Sequence, residues 1–163
     1  MLPPPGAVEA YARVRDDGSL FVRRLHIQNE RQKLVELEHL WPEQEQWLEA
    51  LLAYRFVIGL KPRQVGFTTI TTAFLWWKVL TSPNARRVLQ LVNHEDTRRR
   101  LVKMLRVFLR TMPPELRPTC TSNNDAVMEF AHNDGGFDRV LAGGGGEGRG
   151  WTYTDLHATE MAK

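Results

Sequence analysis

The loop from Lys61 to Thr68 carries residue types that bind phosphate groups. It reads KPRQVGFT, follows an apolar stretch and precedes a predicted helix, from Thr69 to Leu80, that is apolar nearly all round. Backbone N–H groups at a helix start attract anions, and a glycine lets the backbone approach them closely. Gly66 and Thr68 match the second half of the pattern G-x-x-x-x-G-K-[ST]. Phe67 stands in place of its lysine, and Lys61 in place of its first glycine.

Two cations and a hydroxyl keep a phosphate site chemically reasonable despite these two differences. Lys61 lies at the other end of the same short loop, and Arg63 adds a guanidinium with forked donors. The hydroxyl of Thr68 is an oxygen ligand of the kind that Mg²⁺ takes. The loop therefore predicts binding of phosphates with Mg²⁺. The alternative is a basic turn before a buried helix.

A second candidate is the segment WTYTDLHATE, from Trp151 to Glu160, which is predicted to be a strand that ends on a glutamate. In P-loop ATPases the strand beside the loop ends in Asp-Glu; the Asp holds the water shell of the metal and the Glu polarises the attacking water. Glu160 fits the role of that base, and the neutral Thr159 occupies the Asp position. A strand that ends in glutamate is common, so this segment alone decides nothing.

Together the two segments resemble the large terminase subunit of tailed bacteriophages, the ATPase that packages viral DNA into the procapsid. LKPRQVGFTT is similar to the altered phosphate loop of that family, K-x-R-Q-x-G-x-[ST]. GRGWTYTDLHATEMA is similar to its second element, G-R-G-x-T…H-x-[ST]-E-x-A, in one branch. The resemblance covers roughly residues 40 to 163, and residues 1 to 39 match nothing firmly.

The resemblance implies a site that binds ATP and Mg²⁺. The implied nucleotide-binding residues are Gln44, Lys61, Arg63, Gln64, Gly66, Thr68 and Thr69. Thr68 and Glu160 are the implied metal-site residues, and Glu160 is also the implied catalytic carboxylate. Gln44 belongs to a P-x-Q element whose glutamine contacts adenine in that family. The alternative for Gln44 is a surface glutamine on an acidic helix, and Gln46 is its nearby rival.

Arg149 lies between Gly148 and Gly150, eleven residues before Glu160. The resemblance implies an arginine finger that reaches the ATP of a neighbouring subunit. Such a finger stabilises transition-state charge on the γ-phosphate and is worth ~10³–10⁵ in rate. The alternative is a solvated arginine in a glycine-rich loop.

The elements that must position these residues predict an α/β fold with a mainly parallel sheet and flanking helices. The resemblance implies that this fold is a P-loop NTPase of the catalytic-glutamate class, incomplete at its C-terminus. Helices are predicted over residues 28–40, from Pro42 onward, and over 69–80 and 96–112, the last with Asp96 as its cap. Strands are predicted over residues 55–60, 87–92 and 151–159, with a hairpin formed by 126–132 and 137–141. Residues 1–24 are predicted to be an irregular lead.

The fourth predicted helix has two contrasting faces. Leu101, Leu105 and Phe108 recur on one face. The opposite face carries four basic residues, Arg99, Lys103, Arg106 and Arg110. They could contact DNA phosphates, contact a neighbouring subunit, or form an ordinary solvated face.

Composition excludes several other classes of protein. The chain has 163 residues, 42% of them hydrophobic and 25% charged, as in ordinary globular proteins. Seven Phe and five Trp argue against disorder. No run of apolar residues is long enough to span a membrane. A single cysteine, Cys120, is compatible with a reducing, cytoplasmic setting.

The resemblance also implies partners and a location. They are double-stranded DNA, a portal ring, a small terminase subunit and copies of the chain in a ring, a pentamer in that family. The location is the host bacterial cytoplasm, docked on the viral procapsid during packaging. Residues 1–39 are expected to be a lead and 40–163 the N-terminal portion of an ATPase domain, without the nuclease domain of the family. Such a fragment would expose a sheet edge.

Two other functions remain open from the sequence. One is a helicase-like DNA translocase of another P-loop class. The other is a truncated remnant that binds nucleotide and DNA without turnover. Hydrolysis of ATP would separate an enzyme from a remnant.

Overall fold

The structure, a computed structural model, describes residues 13–29, 31–60, 65–141 and 152–159. The helices are α1 to α4: Gly18–Arg23, Pro42–Ala53, Phe67–Thr81 and Glu95–Thr111. The strands are β1 to β7: His26–Gln28, Leu34–Glu36, Arg87–Val92, Cys120–Asn123, Val127–Phe130, Gly136–Leu141 and Asp155–Thr159. Residues 13–16 are also helical, and Pro114–Leu116 form a 3-10 turn.

Five of the described strands form one mixed sheet in the order β4-β5-β6-β3-β7. β3 is parallel to both of its neighbours, β6 and β7. β5 is antiparallel to both β4 and β6, and β5 and β6 form the predicted hairpin. The predicted α/β class is therefore confirmed, but the sheet is parallel only where β6, β3 and β7 lie side by side.

The core lies between this sheet and helices α3 and α4. α3 is apolar nearly all round, as the sequence predicts, and its Trp76 is fully buried. The indole ring packs against Phe108 of α4 and against Phe130 and Phe137 of the sheet, with ring centroids 5.4–6.0 Å apart. Since buried aromatic side chains dominate core energetics, this cluster fixes α3 across the sheet. The predicted apolar face of α4 is likewise buried.

The helix predicted over residues 28–40 is wrong, because β1 and β2 form an antiparallel hairpin there. The Asn29 side chain accepts N–H groups from Arg31 and Lys33, both at 3.0 Å. Gln32 adopts a left-handed backbone with φ 58°. Asparagine favours such local turns over helix, so turn chemistry overrides the helical composition.

The strand predicted over residues 55–60 is also wrong. Within the described residues this segment pairs with no strand, and Phe56, Ile58 and Leu60 are 83–96% exposed. Apolar composition does not specify a partner strand. β3 pairs with β6 and β7, and residues 55–60 pair with neither outer strand of the described sheet, β4 or β7.

Three smaller expectations need correction. The irregular lead is wrong over part of its length, since residues 13–16 and α1 are helical and Asp17 caps α1 by accepting the N–H groups of Ser19 and Leu20. The N-cap of α4 is His94 rather than Asp96. β4 was not predicted at all.

The remaining elements agree with the predicted types, within a few residues at their ends. α2 begins at Pro42, α3 covers the predicted 69–80, and β3 spans residues 87–92. β7 is shorter than predicted, and its Leu156 is 63% exposed at the sheet edge. Among the described helices, none has the length and apolar character needed to cross a membrane.

Candidate nucleotide site

The three parallel strands end together at one edge of the sheet. Val92, the last residue of β3, lies in register with Leu141 of β6 and with Thr159 of β7. The segments that follow these strands therefore leave from the same edge. In open α/β sheets, ligands bind outside the carboxyl ends of such strands.

The amino end of α3 reaches this edge. The hydroxyl oxygens of Thr68 and Thr159 are 3.0 Å apart, a hydrogen bond between residues 91 positions apart in the sequence. Thr68 lies in the first turn of α3, and Thr159 ends β7. The contact joins the two segments that carry the sequence resemblance.

Gly66 shapes the entry to α3. It is the N-cap residue and adopts a left-handed conformation with φ 81°. A Cβ at this position would lie 2.6 Å from the amide nitrogen of Gln44. The backbone conformation and the close approach both require glycine here. The glycine of the predicted loop thus has a local structural cause.

The first turn of α3 differs from those of α2 and α4 in its charge. α2 carries Glu43 and Glu45 in its first turn, and α4 carries Glu95 and Asp96. The first turn of α3, all of it within the described residues, has no acidic side chain and no side-chain cap. A helix amino end carries a partial positive charge and N–H groups without intrahelical partners. This end is therefore suited to an external anion.

Helix α2 holds this end of α3 in place through Trp47. The indole ring of Trp47 stacks on Phe67 with centroids 4.6 Å apart, and its N–H donates to the Thr71 hydroxyl at 2.9 Å. Phe67 is the residue that stands where a phosphate loop usually has lysine. Its ring therefore has a packing role, which explains an aromatic residue at this position. One signal for Trp47 is present in the sequence, its helical spacing with the apolar residues Leu48, Leu51 and Leu52.

Gln44 joins α2 to the loop. Its side-chain oxygen accepts the backbone N–H of Trp41 at 3.1 Å, and its amide nitrogen donates to the carbonyl of Val65 at 2.9 Å. In this structure the amide group serves a helix cap and a loop contact, so Gln44 is more than a surface glutamine. Contact with adenine stays a prediction. The rival Gln46 is exposed.

Thr69, the remaining predicted residue within the described ranges, is half-buried in the first turn of α3. Five predicted residues lie outside the described residues: Lys61, Arg63, Gln64, Arg149 and Glu160. Glu160 is the residue that follows Thr159 in the chain.

A row of buried polar side chains crosses the sheet two residues before the end of β3. Gln90 of β3 lies in register with Arg139 of β6 and His157 of β7, and all three are buried. Arg139 donates to the carbonyls of Asp125 and Asn124 at 3.1 and 2.9 Å. Burial, followed by the charge of Arg106, lowers the pKa of Arg139 to about 10. His157 is buried within the sheet.

Thr68 is the predicted metal-site residue within the described ranges. The described residues contain no group of three or more His, Cys, Asp or Glu side chains that could hold a metal ion. Mg²⁺ is usually bound by one or two protein oxygens together with phosphates and water. The hydroxyl of Thr68 is an oxygen of that kind, which is compatible with Mg²⁺ held together with substrate phosphates, and binding of ATP and Mg²⁺ stays a prediction.

No protein-family model matches the chain, and no curated protein matches it.

Proposed function

We propose that this chain is an ATP-hydrolysing part of a DNA-packaging motor of the large terminase type. The observation that carries the proposal is the hydrogen bond between Thr68 and Thr159. It brings the phosphate-loop segment and the strand before Glu160 to the same sheet edge. In the resembling family these two segments form one ATPase site, so their contact supports the resemblance beyond its two separate motifs.

The electrostatics of the site support binding of a polyphosphate. The amino end of α3 has neither an acidic residue nor a side-chain cap in its described first turn, so an anion would meet N–H groups and a favourable dipole. Lys61 and Arg63, just before this end in the chain, would add two positive charges. ATP carries several negative charges on its phosphates, and this arrangement would stabilise them.

Hydrolysis requires a base and a way to stabilise charge on the transferred phosphoryl group. Glu160 would accept a proton from a water molecule as the water oxygen bonds to the γ-phosphorus and the bond to the β-phosphate oxygen breaks. Lys61 and Arg63 would stabilise the phosphate charge, with Arg149 acting on a neighbouring subunit's ATP. Thr68 would hold Mg²⁺, which, when bound, neutralises charge on the phosphates.

Phosphate release from ATP by the full chain tests this proposal. We expect magnesium-dependent hydrolysis that is abolished by Lys61→Ala and by Glu160→Gln. Glu160→Gln should still bind ATP, because the substitution removes the base and leaves the phosphate contacts. Two control variants make the same chemical changes away from the site. They are Lys33→Ala, in the turn before β2, and Glu49→Gln, on α2, and both positions are exposed. Activity should be unchanged in both.

Two results would count against the proposal. Hydrolysis that survives both Lys61→Ala and Glu160→Gln would overturn the residue assignment. A chain that binds ATP with Mg²⁺ but never releases phosphate would support the remnant without turnover instead.

A further inference from the structure

The outward side of α4 forms one wall of a groove with a basic rim, which we call the basic groove. Its rim and floor are Arg99, Lys103, Arg106, Arg110, Val102 and Val107. The groove has a volume of about 340 Å³. The two valines are buried beneath the four cations. None of the predicted nucleotide-site residues within the described ranges lines this groove.

The four cations form a line along the helix. Arg99 and Arg110 are eleven residues apart, which corresponds to ~16 Å at 1.5 Å per residue. Each strand of duplex DNA carries one charge per ~3.4 Å along the axis. The row therefore spans an axial length over which one strand carries about five charges. A single phosphate group would use only a small part of it.

Most of this charge is not neutralised by the part of the chain that the structure describes. Arg99 approaches Glu95 and Asp96 only at 3.8 and 3.7 Å, and its side chain is 69% exposed. Lys103 donates to a neutral acceptor, the side-chain oxygen of Gln32, at 2.7 Å. Exposed ion pairs of this kind contribute little, so these cations can exchange their present contacts for phosphate contacts.

One acidic side chain, Asp125, lines the groove and lies 3.3 Å from Arg106. Four cations therefore face one carboxylate in the described lining, which leaves an excess of positive charge.

The lining also indicates which kind of nucleic acid fits. Proteins that bind single strands stack the bases on aromatic side chains. No aromatic side chain lines the basic groove among the described residues. Three of the four cations are arginines, whose forked donors match phosphate oxygens. This chemistry suits a duplex backbone, where the bases stay paired and stacked.

We infer that the basic groove on α4 binds the phosphate backbone of double-stranded nucleic acid without reading its sequence. Only the choice of DNA rather than another duplex rests on the proposed function. The preference for a duplex backbone comes from the charge row and the non-aromatic lining.

Fluorescence anisotropy with a labelled 20-base-pair DNA, measured over a series of salt concentrations without ATP or Mg²⁺, tests the inference. The triple variant Arg99→Ala, Lys103→Ala, Arg110→Ala removes the cations that do not pair with Asp125. We expect at least a tenfold loss of affinity. The slope of log affinity against log salt should become shallower by about 0.9 for each lost phosphate contact.

A charge-matched control separates a local effect from a change in net charge. Arg13, Arg24 and Arg55 are exposed and lie outside the groove, and their triple alanine variant loses the same three charges. We expect it to keep nearly the wild-type salt slope. Equal losses in the two triple variants, at unchanged thermal stability, would overturn the inference.

A gain of affinity provides a second readout that misfolding cannot mimic. Asp125→Asn removes the negative charge that lines the groove and should tighten DNA binding several-fold. Weaker or unchanged binding would contradict the inference. Competition by poly-L-glutamate as strong as that by unlabelled duplex, at equal charge concentration, would assign the groove to acidic proteins and overturn the nucleic-acid assignment.

The binding assay contains no nucleotide, so it can fail independently of the proposed function. Loss of hydrolysis in Glu160→Gln with intact DNA binding leaves the groove unaffected. Hydrolysis with no DNA binding would overturn the inference about the basic groove and leave the proposed ATPase site unaffected.

Discussion

The two ends of helix α3 both join strand β7, but by opposite chemistry. At the amino end, the hydroxyls of Thr68 and Thr159 meet at 3.0 Å. At the carboxyl end, Lys78 pairs with Asp155, which also accepts a hydrogen bond from Arg86 at 3.1 Å. The first junction is neutral, whereas the second combines two cations with one carboxylate.

At the carboxyl end of α3 the charges are paired within the protein, whereas the amino end is suited to a ligand. Asp155 satisfies charges supplied by the protein itself, and its side chain is only 9% exposed. The described first turn of α3 carries no acidic side chain and no side-chain cap. The charged junction therefore stabilises the fold, while the neutral junction is the better candidate for recognition of phosphates and Mg²⁺.

Removing the hydroxyl at the neutral junction should have the largest effect. Thr68→Val should lower ATP turnover about 10²–10³-fold, equal to about 2.7–4 kcal/mol, because one group that stabilises transition-state charge is lost. Steady-state phosphate release measures this change. Thr68→Ser keeps the oxygen and should retain most activity.

Thr81→Val supplies the matched control at the other end of α3. Among the described residues, the Thr81 hydroxyl bonds only to the carbonyl of Trp77 in its own helix, at 2.8 Å. Its loss should leave turnover unchanged. Equal turnover in Thr68→Val and Thr81→Val would remove the functional distinction between the two ends.

Breaking the charged junction should have the second largest effect, on stability. Asp155→Ala leaves Lys78 and Arg86 without their carboxylate. Removing one partner of a buried pair costs about 3–5 kcal/mol, but these cations stay 24% and 36% exposed, so water compensates part of the loss. We expect the free energy of unfolding to fall by about 2–3 kcal/mol, measured by urea denaturation.

This stability should depend on pH in a defined direction. Burial alone would raise the pKa of Asp155, but hydrogen bonds from Lys78 and Thr154 hold it below its ordinary value of 3.8. A carboxylate with a lowered pKa stabilises the fold above its unfolded pKa and loses that contribution as the pH falls through the folded value. The difference in the free energy of unfolding between wild type and Asp155→Asn should therefore become smaller from pH 7 to pH 3. A difference that grows on acidification would contradict this. Asp16→Asn, at an exposed position, is the control and should show no such change.

A backbone change at the neutral junction should have the smallest effect. Gly66→Ala places a Cβ in a left-handed residue and 2.6 Å from the Gln44 amide. The conformational penalty is about 1–2 kcal/mol. Thermal unfolding measures it, and Gly59→Ala, which meets the Trp47 ring rather than a strained backbone, separates crowding from strain. No loss in Gly66→Ala would show that the loop entry tolerates a side chain.

Elements with a strong local pattern were predictable from the sequence. The all-round apolar character of α3, the two faces of α4 and the Asn-Asp-Gly-Gly turn before β6 each report on neighbouring residues alone. The two wrong predictions have different causes. A helix over residues 28–40 is not formed because the Asn29 side chain bonds to the backbone of a local turn. A strand over residues 55–60 is not formed because apolar character does not specify a partner strand.

The candidate site was predictable only in its residue types. Gly66, Thr68 and Thr159 were identified from motifs and from the resemblance. The support from Trp47 was missed because an indole on an amphipathic helix gives the same pattern whether it packs on the core or on a loop. Its stacking on Phe67 depends on where α2 crosses the start of α3.

The sequence by itself determined a cationic, glycine-containing loop before an apolar helix, a strand that precedes Glu160, and a helix with one basic face. Only the tertiary structure decided that Thr68 meets Thr159, that Lys78 meets Asp155 and that the basic face lines a groove. The physical reason is that local periodicity acts over a few residues. Contacts between positions 77 to 91 residues apart depend on strand order and register, which are fixed by packing of the whole sheet against α3 and α4.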